Sequence, residues 1–127
     1  MTRIALAALL FCLAANAGAA PRQADPCGVA GADESFRACR KEQYEASEKR
    51  LHETYDKLHN NDARNQPNRA ALLVSAQAAW TVYRDAECRV QTEESASGTM
   101  GDVYLLACLI EMNVERTAAL QKMLDNP

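Results

Sequence analysis

Residues 33–60, DESFRACRKEQYEASEKRLHETYDKLHN, contain neither glycine nor proline. Their apolar members Phe36, Cys39, Tyr44, Leu51, Tyr55 and Leu58 recur at mostly helical spacings, and Tyr44, Leu51 and Leu58 fall seven apart. This is the pattern of one long amphipathic helix, about 40 Å at 1.5 Å rise per residue. The polar run Asn60-Asn61-Asp62-Ala63-Arg64-Asn65-Gln66-Pro67 follows and reads as a break, with Pro67 suited to the first position of a second helix. From Pro67 to about Glu94 the apolar stripe is Leu72, Leu73, Ala76, Trp80, Tyr83 and Val90, with alanines between. Ser95-Ala96-Ser97-Gly98-Thr99-Met100-Gly101 is the second break. Asp102 is then expected to cap a third helix that turns Leu105, Cys108, Leu109, Met112, Leu120, Met123 and Leu124 inward. Short polar connections favour antiparallel neighbours. The expected fold is therefore all-α, an antiparallel three-helix bundle running up, down, up.

Composition agrees with one small helical domain. The chain has 127 residues, of which 48% are hydrophobic, 24% charged and only 6% aromatic. Five glycines and four prolines are few turn residues for a β-sandwich of this size. A formal charge of −3 argues against a nucleic-acid partner. No apolar run reaches the roughly 18 residues that span a bilayer, so a membrane-embedded protein is not expected.

The first residues read as an address. Met1-Thr2-Arg3 is a short basic start, Ile4 to Ala15 an apolar core, and Ala17-Gly18-Ala19 a small-x-small cleavage motif. Cleavage after Ala19 makes residues 1–19 a signal peptide and residues 20–127 the mature domain, in a periplasm or secreted. Among charged residues only Arg3 is lost, which leaves a formal charge of −4. Cys12 is preceded by Phe11 rather than by the small residue a lipidation site requires.

Four cysteines remain, Cys27, Cys39, Cys88 and Cys108. An even number in an exported chain reads as two disulfides, and no CxxC knuckle supports a metal. In an up-down-up bundle, Cys39, Cys88 and Cys108 lie level near one end, and the segment carrying Cys27 leads into that end. Geometry leaves every pairing within reach. The local pairs Cys27–Cys39 and Cys88–Cys108 are favoured; the rival is Cys39–Cys88 with Cys27–Cys108.

Candidate chemistry is sparse. His52, Asp56 and His59 share one helix face, but two histidines and one aspartate are a thin ligand set beside the ordinary reading of a solvated flank. No metal or other cofactor is expected. Asp85 with Glu87, and Glu93 with Glu94, are too close in sequence to face each other on a helix and read as surface charge. No phosphate-binding glycine loop and no GxSxG elbow is present, so catalysis is not expected. Trp80, Tyr83, Arg84 and Cys88 lie on one helical face, with Trp80 and Tyr83 expected in the core and Arg84 bonded to carbonyls or carboxylates. Loop 95–101 is the most open candidate for binding. Gly98 and Gly101 permit unusual dihedrals, and Ser95, Ser97 and Thr99 carry hydroxyls.

Ala76-Gln77-Ala78-Ala79-Trp80 followed by Tyr83-Arg84-Asp85-Ala86-Glu87-Cys88 resembles the signature of the LprI family of secreted lysozyme inhibitors. The likeness continues through Gly98-Thr99, Cys108-Leu109 and Arg116-Thr117 to Leu120, and more loosely takes in Cys27, Cys39 and the Leu51, Tyr55, Leu58 helix. Where family members often carry Gly-Gly before the hydroxyl residue, this chain has Ser97-Gly98. The resemblance implies an exported protein whose partner is a lysozyme-type muramidase, with Trp80, Tyr83, Arg84 and Arg116 as structural motif residues. Ser95, Ser97, Gly98, Thr99 and Gly101 form our own candidate partner-binding loop. Two other classes share the same compartment: an immunity-type binder of another exported toxin, and an envelope metal-binding or stress module using the His52 face.

Overall fold

The computed structural model describes residues 26–28 and 33–126. The expected signal peptide, residues 1–19 with Cys12, lies outside these. Among the described residues three helices follow one another: α1 (Glu34–Asn65), α2 (Pro67–Thr92) and α3 (Gly101–Asp125), with one 3₁₀ turn, Glu93–Ser95, after α2. Among the described residues there is no strand, and no helix is long and apolar enough to cross a membrane. The expected all-α three-helix bundle is the observed fold. Helix α1 packs most extensively on α3 and less on α2.

Asp33 starts α1. Its carboxylate accepts the Phe36 N–H at 2.8 Å and the Ser35 hydroxyl at 2.7 Å, satisfying one of the orphan donors of the first turn. The Ser35 hydroxyl first, and then the Phe36 N–H, hold the Asp33 carboxyl below the usual carboxylate range. A carboxylate depressed in the folded state stabilises above its unfolded pKa, and that contribution is lost as pH falls through the folded value. Asp33→Asn should therefore cost stability at pH 7. The gap in urea midpoint between the variant and the natural protein should shrink on acidification to pH 3. An unchanged gap would remove the cap from the account.

The polar run after Asn60 does not break the helix. α1 continues to Asn65, and Gln66 alone separates it from α2. Nothing before Pro67 prevents helix: Asn65 Nδ2 donates to the Asn61 carbonyl at 2.9 Å, and Gln66 N–H to the Asp62 carbonyl at 2.6 Å. Pro67 then forces the reversal, since the residue before a proline is pushed from the helical region and Gln66 sits at φ −145°, ψ 67°. The Asp62 side chain is fully buried at this corner, with Arg69 Nε 3.2 Å from its Oδ2.

The core lies between the helices: Leu51 and Leu58 of α1, Leu73 of α2 and Leu120 of α3. Tyr55, Trp80 and Leu124 pack against it. Burying each leucine contributes about 1.5–3 kcal/mol. Phe36 and Val103 are buried as well. Several residues expected inside are not: Leu72, Tyr83, Val90 and Met123 are exposed. For α2 the reason is rotational. Its buried residues are Ala70, Leu73, Arg84 and Cys88, so the face bearing Leu72, Tyr83 and Val90 turns outward. Asp102 is likewise not the cap of α3. The cap position is Met100, two residues earlier, so the helix begins at Gly101 and Asp102 sits in the first turn, where its charge complements the helix dipole.

Candidate functional site

The chain gathers its cross-links at one end of the bundle. Cys27 is bonded to Cys39, with Cα atoms 5.8 Å apart, and Cys88 to Cys108, with Cα atoms 5.6 Å apart. The first bond ties the segment before α1 to its second turn. The second ties the last turns of α2 to α3 across loop 95–101.

The loop between them is a succession of tight turns. Ala96 N–H donates to Glu93 O at 3.1 Å, Gly98 N–H to Ser95 O at 2.9 Å, and Gly101 N–H to Gly98 O at 3.1 Å. Helix α1 reaches across to hold it. Arg37 Nη1 lies 2.6 Å from Asp102 Oδ2, and its Nη2 donates to the Thr99 carbonyl. The loop is therefore fixed from three elements.

This geometry divides the five residues singled out from sequence. Ser97, Gly98 and Thr99 are exposed at the tip, whereas Ser95 is half-buried and Gly101 is buried. The Gly98 and Gly101 N–H groups are consumed inside the turn, so neither is offered to a partner. Nor does either glycine use the left-handed region; among the described residues only Gly28 does, at φ 82°. Gly101 is needed for space. A Cβ there would stand 2.6 Å from Ser95 O and 2.9 Å from Ala96 O, both backbone atoms that cannot swing aside. Gly101→Ala should lower stability by about 2 kcal/mol, within the range for overpacking, read as a fall in thermal midpoint with the helical circular dichroism retained. A neutral substitution would show that the turn gives way freely.

Behind the loop lies a buried polar network that joins all three helices. Arg84, on α2, donates from Nη1 to Glu48 Oε1 on α1 at 2.5 Å and to Asn113 Oδ1 on α3 at 2.7 Å. Its Nε donates to Asp85 Oδ1 at 2.9 Å. Asn113 Nδ2 donates to Ser47 Oγ at 3.0 Å and to Glu48 Oε1 at 2.8 Å. Burial alone would lower the Arg84 pKa, but its bonds to Asp85 and Glu48 together outweigh that and hold it above its ordinary value. Burial, and then the Glu48 charge, push the Tyr44 phenol up. Two guanidinium groups lie over the Trp80 ring, that of Arg84 5.3 Å from its centroid and that of Arg116 at 5.7 Å. Burial holds the Arg116 pKa below its ordinary value.

Sequence reading placed Arg84 among carboxylates but missed Ser47, Glu48 and Asn113. A signal was available for Ser47. With Leu51, Thr54 and Leu58 it keeps the alternating four-three spacing of the inward face of α1, and all four are buried. For the His52 face, the His59 ring stacks on Tyr55 with centroids 5.8 Å apart. Among the described residues no group of three or more His, Cys, Asp or Glu is placed to hold a metal ion.

A family model described as Lysozyme inhibitor LprI matches residues 27–120, a span that begins at Cys27 and includes all four cysteines named above. An uncharacterized protein of Rhizobium meliloti (strain 1021) is 28% identical over 128 residues, covering 93% of this chain and 91% of the relative. No solved structure matches the chain.

Proposed function

The chain belongs to the LprI family, and from that premise we propose that it is an exported protein that binds a lysozyme-type muramidase and blocks its cleft, without chemistry of its own. The tip Ser97-Gly98-Thr99 is the inserting element. A lysozyme cleft works with one protonated and one ionised carboxyl group. Serine and threonine hydroxyls accept from the first and donate to the second, and the small glycine between them lets the backbone approach.

The observation that carries this reading is the mounting of the tip. The Cys88–Cys108 bond, the Arg37 contact to the Thr99 carbonyl and the buried Gly101 hold three exposed residues in one conformation. A loop ordered before binding loses less entropy on binding. A charge of −4 after removal of residues 1–19 steers the protein toward a basic lysozyme, an attraction that salt screens. Export is supported by the residue pattern of 1–19 and by two disulfides, which persist in oxidising compartments.

The test is titration of the oxidised protein into a cell-wall lysis assay driven by a basic lysozyme. Dose-dependent inhibition that weakens with salt is expected. Ser97→Trp combined with Thr99→Trp should weaken inhibition at least tenfold, about 1.4 kcal/mol, with the thermal midpoint unchanged because both side chains are exposed. No inhibition at large molar excess would overturn the inhibitor reading. Full inhibition by the double variant would move the contact away from the tip.

A further inference from the structure

Helix α2 carries a second apolar stripe on its outer side. Leu72, Ala76, Ala79, Tyr83, Ala86 and Val90 recur at alternating spacings of four and three, and every one is exposed. The exposures of Leu72, Tyr83 and Val90 are 71%, 56% and 75%. This is the a/d seam of a coiled coil, here with no helix of the described residues against it. It runs about 27 Å at 1.5 Å per residue, too long and continuous for scattered surface residues. Arg69 and Glu93 extend the same spacing by one step beyond each end.

The order of side chains along this seam is self-complementary. Counted outward from residue 81, Ala79 is matched by Tyr83, Ala76 by Ala86, Leu72 by Val90, and Arg69 by Glu93. Two copies of α2 laid antiparallel about a dyad at residue 81 would therefore seat the tyrosine ring over an alanine and the leucine against the valine. At both ends a guanidinium would meet a carboxylate. Val82, beside the seam and 72% exposed, would face its own copy across the dyad. A parallel arrangement would set Arg69 on Arg69, Glu93 on Glu93 and tyrosine on tyrosine. Charge and size thus choose the same direction.

We propose that the outer face of α2 is a homodimer interface, an antiparallel pairing with a second copy of this chain through Leu72, Ala76, Ala79, Tyr83, Ala86 and Val90. Such a contact is isologous and closes on itself. It leaves the tip residues free. With the dyad at residue 81, the two Thr92 residues lie about 33 Å apart along the helix axis, so the two loops sit at opposite ends of the dimer. The pairing does not rest on the inhibitor reading, and its test needs no lysozyme.

Sedimentation of the oxidised, exported protein from low micromolar to near-millimolar concentration should show a reversible monomer–dimer equilibrium. Ala79→Glu, which sets a carboxylate against the tyrosine ring, should raise the dissociation constant at least tenfold while leaving the thermal midpoint of the monomer unchanged. Spin labels at Val82→Cys should report a short inter-copy distance, and labels at Ser97→Cys one longer than about 33 Å. A monomer at every concentration would overturn the proposal. A dimer indifferent to Ala79→Glu would overturn the seam, and a short distance at residue 97 would overturn the antiparallel register.

Discussion

Arg84→Ala should destabilise the protein by about 4 kcal/mol, within the 3–5 expected when one partner of a buried charge pair is removed. The Arg84 side chain is only 7% exposed and bonds to one residue on each of the other two helices. Its removal leaves the Asn113 amide oxygen without its donor, and Asn113 is fully buried. It also strips the Trp80 ring of one of the two guanidinium groups over it. Glu48 and Asp85 keep some access to water, at 38% and 44%, which keeps the loss below the top of that range. For a domain of this size the thermal midpoint should fall by roughly 15–25 °C. Arg84→Lys keeps the charge but not the planar fork that serves Glu48, Asn113 and Asp85 together, so it should recover less than half of the loss. A double-mutant cycle with Glu48→Gln should show strong coupling. Additive effects would mean that the guanidinium acts by packing alone.

Replacing Cys88 and Cys108 together by serine should cost about 3 kcal/mol, the loop-closure value for a cross-link spanning 20 residues. Cys88 is fully buried, so its serine hydroxyl adds a desolvation cost to the lost entropy term. The effect on binding is separable from the effect on folding. At a temperature where the variant remains folded, the loop has lost its link between α2 and α3 and samples more conformations. Inhibition in the lysis assay should then weaken by more than the fraction unfolded. The matching change at Cys27 and Cys39 closes a chain segment of 12 residues outside the loop, so its loss should lower stability less and leave the tip in place. Equal loss of inhibition in both variants would indicate that general stability, not preorganisation of the tip, sets the affinity.

Much of this architecture is legible in residue spacing. The Phe36 to Leu58 run, the proline at 67 and the small-residue loop place three helices in the right order. The same order brings Cys39, Cys88 and Cys108 to one end. These are local properties, since a helix forms where breakers are absent and ends where Pro67 forbids the next hydrogen bond. Even there, α1 runs on to Asn65, past the break expected after Asn60. Asparagine and aspartate disfavour helix only weakly, and Asn61, Asp62 and Asn65 stay helical because nothing opposes them before the proline.

What periodicity cannot decide is which of two apolar faces turns inward. Helix α2 has both: Ala70, Leu73 and Cys88 on one side, Leu72, Tyr83 and Val90 on the other. Each satisfies a helical repeat, and only the surfaces of α1 and α3 select between them. The same limit hid Ser47 and Asn113, whose burial follows from meeting Arg84 across the bundle. It also hid Gly101, whose missing side chain matters because two carbonyls from the preceding turn occupy that space. Sequence alone determined the helices, their direction and the end at which the cysteines gather, because backbone hydrogen bonding and chain connectivity act within a few residues. Only the tertiary structure decided the disulfide partners, the members of the buried network and the face of α2 left uncovered, because each depends on contacts between residues far apart in the chain.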